Sequence, residues 1–146
     1  MSTRLALPAR RNHITQKIRV AGQRTLYISV HDNKHPAEIF LRLKGDDCSS
    51  ELIGLYDVVA RLLSLALQYG APLEKVGDLL AGAKFAAYGP VSGHDRLKHC
   101  TSLPDRIGRH LPVEYCHRDE FAHVPAPVME GGTLNATPSQ MHDTQF

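Results

Sequence analysis

Apolar and polar positions alternate with period two in the first third of the chain, and the period then becomes helical. Residues 14–20 and 25–30 alternate and are separated by Ala21-Gly22-Gln23-Arg24, which predicts two strands joined by a hairpin whose glycine takes a positive φ. After the polar turn HDNKHP, a third strand is predicted over 37–43. One side of this layer carries Ile14, Ile18, Val20, Leu26, Ile28, Val30, Ile39, Leu41 and Leu43, the set expected to face the core. Residues 49–70 read as one long helix, with Leu52, Leu55, Tyr56, Val59, Leu62, Leu63 and Ala66 at helical spacing. Ser49 or Ser50 can cap its start and Gly70 can close its end. Its polar stripe is one residue wide, Gly54, Asp57, Arg61, Ser64 and Gln68, so the helix is expected to be covered on most sides, by its own sheet and by a second subunit. Asp57 and Arg61, four apart with the acid first, would pair along the one exposed line.

A second helix is predicted from residues 71–73 to Gly82, with Pro72 in its first turn and Leu73, Val76, Leu79 and Leu80 as its buried edge. Residues 84–95, KFAAYGPVSGHD, hold three backbone breakers and two aromatics and are expected to form a loop of functional interest. A third helix follows, capped by Ser102 with Asp105 three positions on, with Leu103, Ile107 and Leu111 as its buried line and Arg106, Arg109 and His110 on another flank. The fold class this implies is α+β: a small antiparallel sheet of about three strands packed on a long buried helix, with two shorter helices following. The chain divides into a basic N-terminal arm, 1–13, a folded domain, 14–123, and a C-terminal tail, 124–146, rich in proline, glycine, serine and threonine and expected to be flexible.

Composition changes this picture little. A chain of 146 residues, 42% apolar with a net charge of +2, is one globular domain with no marked preference for polyanions. Three cysteines without a CxxC pair, no signal segment and no long apolar run point to a reduced, cytoplasmic setting and no membrane span.

The candidate chemistry is that of binding. Phe85 and Tyr88 are potential stacking platforms, Arg19, Arg24, Arg106 and Arg109 potential phosphate partners, and Asp95 belongs to the same loop as the aromatics. The outer side of the predicted sheet interleaves Lys17, Arg19 and Arg42 with Tyr27 and Phe40, which suits either phosphates and bases or plain solvation. His94, His99, Cys100, His110, Cys116 and His117 cluster in sequence but lack paired zinc spacing, so neither metal nor cofactor is implied. Cys100 with His94 or His99 lacks a third orienting group, and Asp46-Asp47 and Asp119-Glu120 read as turn and solvent residues rather than a catalytic pair.

The order LPARR, ITQKIRV, AGQRTLYISV, AEIFL, GLYDVVARLLSLALQYGAPLEKV, KFAAYGPVSG and TSLPDRIGRHL resembles the TSCPD domain, the small C-terminal domain of adenosylcobalamin-dependent (class II) ribonucleotide reductases, over about residues 7–124. The name-giving cysteine is Leu103 here and no cysteine follows Cys116, so the family's thiol relay does not carry over. The resemblance implies kinship with nucleotide chemistry but not the reaction, because the large barrel that holds the radical cysteine and cofactor does not fit in this length. Two functions follow as expectations. The first is a non-catalytic homo-oligomer, at least a dimer, that captures a nucleotide or a nucleotide-derived cyclic signal between subunits, in the manner of phage anti-defence sponges such as the anti-Thoeris proteins. The second is an accessory or regulatory domain that docks on a reductase large subunit. An unrecognised hydrolase ranks below both.

Overall fold

The computed structural model describes residues 3–125; the tail expected over 124–146 lies, from residue 126 onward, outside the described residues. Strand β1 (His13–Val20) and strand β2 (Arg24–His31) form the expected hairpin, its turn made by Ala21 (φ 54°) and Gly22 (φ 69°). Their register runs from His13 opposite His31 to Val20 opposite Arg24. Strand β3 (Ile39–Lys44) adds to the outer side of β2, antiparallel, with Ile39 opposite Val30. Residues Ile18, Val20, Leu26, Ile28, Val30, Ile39, Leu41 and Leu43 are buried as the alternation requires, whereas Ile14 is 53% exposed.

The sheet has five strands rather than about three. Within the segment 84–95, expected to be a loop, β4 (Gly89–Ser92) pairs with the end of β1, and β5 (His99–Cys100), just beyond that segment, pairs with β4, giving the order β3-β2-β1-β4-β5. Both additions are too short to show a period, and Gly89, Pro90 and Gly93 give their surroundings the composition of a turn.

Helix α1 (Ser50–Gln68) is capped by the Ser49 side chain, which accepts from the Leu52 amide at 3.1 Å. It buries Tyr56, Ala60 and Leu67 with the sheet side chains in one core. Ser64 and Gln68 are buried too, contrary to the expected exposed stripe. The reason is the free edge of β3: Ser64 Oγ accepts from the Ile39 amide at 2.9 Å and donates to the Ile39 carbonyl at 3.1 Å, and Gln68 Nε2 donates to the Ala37 carbonyl at 3.1 Å. A helix lying along a strand edge must turn polar groups inward, because buried backbone groups need partners. Consequently the opposite side of α1 is open to water in the single chain, and Leu55 (54%) and Leu62 (61%), expected to be buried, are exposed. Gly54, Asp57 and Arg61 are exposed as expected, with Arg61 Nε 3.5 Å from Asp57.

Helix α2 (Leu73–Leu80) buries Leu73 and Val76 but leaves Leu79 78% exposed, correcting its expected edge. Helix α3 (Leu103–Tyr115) buries Leu103, Ile107 and Leu111 as expected. The two cross at a pair of glycines. A Cβ on Gly108 would lie 2.5 Å from Leu80 Cβ and 3.1 Å from the Ala81 nitrogen, and one on Gly77 would lie 2.6 Å from Pro112 Cγ and 3.1 Å from the Gly108 carbonyl oxygen. The N-terminal arm is tied to this body: Arg4 donates to Gln68 at 2.7 Å, and Arg11 makes a two-pronged bond to Glu38 at 2.7 Å on each prong. Among the described residues no helix is long and apolar enough to cross a membrane.

The glycine crossing is testable. Gly108→Ala should lower stability by about 1–3 kcal/mol through overpacking, despite alanine's better helix propensity. Chemical denaturation of the two proteins measures the difference, and an equally or more stable variant would contradict the close approach.

Candidate functional site

The sequence TSLPD builds the ground on which the candidate site stands. Ser102 Oγ accepts from the Asp105 amide at 3.1 Å and caps α3, while Pro104 occupies the first turn, where its missing N–H is no loss. Thr101 Oγ1 donates to the Ala83 carbonyl at 2.7 Å. The Asp105 carboxylate, 1% exposed, accepts from the Gly82 amide at 2.7 Å, the Thr101 amide at 3.1 Å and Arg109 Nε at 2.8 Å. Burial pushes its pKa up, but the two amides and the guanidinium outweigh burial and hold it below the usual carboxylate range. One buried acid thus joins the end of α2, the end of β5 and the start of α3. Leu103, where the TSCPD motif has its cysteine, is fully buried.

Above this ground lies a hollow of about 610 Å³ lined by Lys84, Phe85, Tyr88, Gly89, His99, Cys100 and Thr101. Phe85 and Tyr88 are 53% and 70% exposed, open to a planar ligand. The connecting segment is held by the Phe85 amide on the Thr101 carbonyl at 3.2 Å and by the Cys100 thiol on the Ala87 carbonyl at 3.7 Å. Burial raises the pKa of the Cys100 thiol, so at neutral pH it is not a thiolate nucleophile. His99 stacks on His123 with ring centroids 3.6 Å apart.

Of the residues singled out from the sequence, Phe85 and Tyr88 share this hollow. The arginines do not converge on it. Arg106 is fully buried, its Nη1 against His110 Nδ1 at 3.2 Å, so the expected surface flank with Arg109 and His110 is an interior one. Arg109 is committed to Asp105 and donates to the Phe121 carbonyl at 3.1 Å. Arg24 binds Asp47 at 3.0 Å, and Arg19 donates to the Gly22 carbonyl at 2.8 Å. Asp95 is exposed in the turn after β4. The cation of the hollow is Lys84, which sequence reasoning passed over, and beside it stands His99, weighed from the sequence only as a zinc ligand or as a base for Cys100. Lys84 precedes Phe85 directly, and that adjacency was the available signal. On the outer sheet face, Lys17 and Lys44 sit over the Tyr27 ring at 5.9 and 5.7 Å, and His13 stacks on Phe40 at 5.2 Å. A second hollow of about 600 Å³ lies between the arm, the turn after β2 and the start of α2, with Lys34, His35 and Tyr115 on its wall.

His94, His110 and Glu114 bring ligand atoms within 4.8 Å of one another. Their hydrogen bonds do not suit a metal. His94 Nδ1 accepts from the Arg96 and Leu97 amides at 3.0 and 3.1 Å, which leaves the proton on Nε2, donated to Glu114. His110 Nδ1 faces a guanidinium that can only donate, which likewise leaves its proton on Nε2. A metal-bound histidine instead donates from its other nitrogen. Burial, assisted by the Arg106 charge, lowers the His110 pKa to about 3, and burial lowers that of Arg106 to about 10.

A family model described as the TSCPD domain matches residues 3–115. The chain belongs to the TSCPD domain family. This TSCPD domain is 35% identical over 125 residues to a vitamin B12-dependent ribonucleotide reductase of Bradyrhizobium diazoefficiens, a match covering 85% of the chain and 10% of the relative. To the enzyme of the same description from Agrobacterium fabrum it is 34% identical over 119 residues, covering 81% of the chain and 9% of the relative. The corresponding protein of Rhodopirellula baltica is 28% identical over 126 residues, covering 86% and 11%. The TSCPD domain therefore spans about a tenth of the length of the curated relatives it matches. No solved structure matches it.

The His110 environment gives an acid-limb prediction. Its folded pKa of about 3 lies below the ordinary histidine value, so between about pH 6.5 and 3 the unfolded chain takes up a proton that the folded one refuses, and stability falls with pH. His110→Gln should be destabilising at pH 7 and progressively less so towards pH 4, as read from urea unfolding at several pH values. A difference that stays constant with pH would contradict a neutral, buried His110.

Proposed function

We propose that this TSCPD domain is a non-catalytic accessory module that works beside a ribonucleotide reductase large chain. The observation that carries the reading is the shape of the match: more than four-fifths of the chain corresponds to about a tenth of each reductase relative, and the other nine-tenths have no counterpart in it. The local chemistry agrees. In the hollow the Cys100 thiol has its pKa raised, and in the junction beneath it Asp105 is bound on three sides and cannot act as a base. A TSCPD motif without its cysteine also suits positioning or regulation better than electron relay.

The test is association in trans. A vitamin B12-dependent reductase whose own TSCPD region has been deleted should bind the purified chain, and the added chain should alter its turnover or its response to nucleotides. Absence of binding at micromolar concentrations of both proteins would overturn the accessory role.

A second reading, capture of a nucleotide or nucleotide-derived cyclic signal, is favoured by the hollow alone. Two exposed rings beside Lys84 can stack a base and offer a cation to a phosphate. A sponge directed against host defence signalling has no support beyond that hollow. Thermal-shift screening against nucleotides, cyclic dinucleotides and cyclic ADP-ribose isomers should raise the melting temperature for one ligand class, recovered chemically unchanged. Phe85→Ala should then weaken binding by about 1–3 kcal/mol with little effect on the ligand-free protein. Arg109→Ala should act the other way, lowering the melting temperature of the free protein, because its guanidinium holds Asp105.

A further inference from the structure

Apart from Ile53 in the first turn, the large apolar side chains that the fold leaves in water along α1 and its C-cap form a line of their own. Leu55, Val58, Leu62, Leu65 and Tyr69 are between 39% and 61% exposed. They follow one another at steps of three, four, three and four residues, the spacing of a coiled-coil seam, on the side opposite Tyr56, Ala60 and Leu67. Single exposed leucines are ordinary, but a continuous stripe of several hundred Å² is at the upper limit for a lone chain. Beside the stripe, a Cβ on Gly54 would meet nothing within 4 Å, so the flank is low and open to close approach.

We propose that this stripe pairs with the same stripe of a second copy, antiparallel about a two-fold axis between Val58 and Leu62. The charges select a second copy as the occupant. Asp57 and Arg61, with side chains 61% and 73% exposed, lie on one flank of the stripe. An antiparallel copy brings Asp57 of each chain alongside Arg61 of the other, two cross pairs from one sequence, whereas in a parallel two-fold pair the two copies of this flank lie on opposite faces and their charges do not meet. The apolar layers are self-complementary in the same register: Leu55 lies against Leu65 of the second copy and Val58 against Leu62, each twice. At the ends, Glu51 reaches the Tyr69 hydroxyl of the other chain. A contact of two such stripes belongs at the small end of the roughly 1,200–2,000 Å² range of stable interfaces, so pairing is to be sought at high micromolar concentration.

Sedimentation of the purified chain alone tests this separately from any reductase binding. The expected mass at high micromolar concentration is twice 16.1 kDa. Leu62→Asp should make the protein monomeric with an unchanged circular dichroism spectrum, since that side chain is exposed within one chain. Asp57→Arg and Arg61→Asp should each weaken pairing several-fold, and an equal mixture of the two should restore it, because only the cross pairs reform in the mixed dimer. A wild-type monomer throughout, or a dimer indifferent to Leu62→Asp, would overturn the pairing, and failure of the mixture to recover would overturn its antiparallel register. A chain that is monomeric alone and loses reductase binding through Leu62→Asp would assign the stripe to the reductase instead.

Discussion

The Asp105 carboxylate is the contact on which the candidate site depends. It is a charge with almost no access to water, and such a charge is tolerable only because two amides and a guanidinium converge on it. Those partners come from three different places in the chain, so satisfying one acid fixes where α2 ends, where β5 ends and how α3 departs. The segment bearing Phe85 and Tyr88 is strung between two of those fixed points. Its aromatic rings are held in the open by a bond made beneath them.

This gives the TSCPD motif a structural meaning residue by residue. Threonine ties the segment 83–88, serine caps the helix, proline starts it and aspartate locks the junction. The position that departs from the motif, Leu103, packs in the core among Ile107 and Leu111. The Leu103 side chain takes no part in the hydrogen bonds of the junction, which rest on Thr101, Ser102 and Asp105.

The hairpin, the two flanking helix caps and the buried line of α3 were legible in the sequence, because each depends on local periodicity or on a residue three positions away. Ser64 and Gln68 were misread because helical spacing marks them as a polar stripe but does not say whether water or a strand edge receives them. The same error reversed Leu55 and Leu62, which stand on the far side once Ser64 turns inward. Arg106 and Arg109 show a related limit. An arginine beside a helix start looks like an anion clamp from sequence alone, yet one is sealed against His110 and the other is spent on the acid one turn earlier. Phe85 and Tyr88 were identified by type, and they meet in space because β4 and β5, too short to announce themselves, fold their segment back.

The two margins of the sheet are unlike each other but equally unwelcoming to another strand. On one side a serine hydroxyl already occupies both hydrogen-bonding groups of Ile39. On the other, β5 offers only two residues. An exposed sheet edge would ordinarily invite pairing with a strand of another chain. Here the start of one rim is already occupied and the other is short, so each offers a further strand little backbone to pair with.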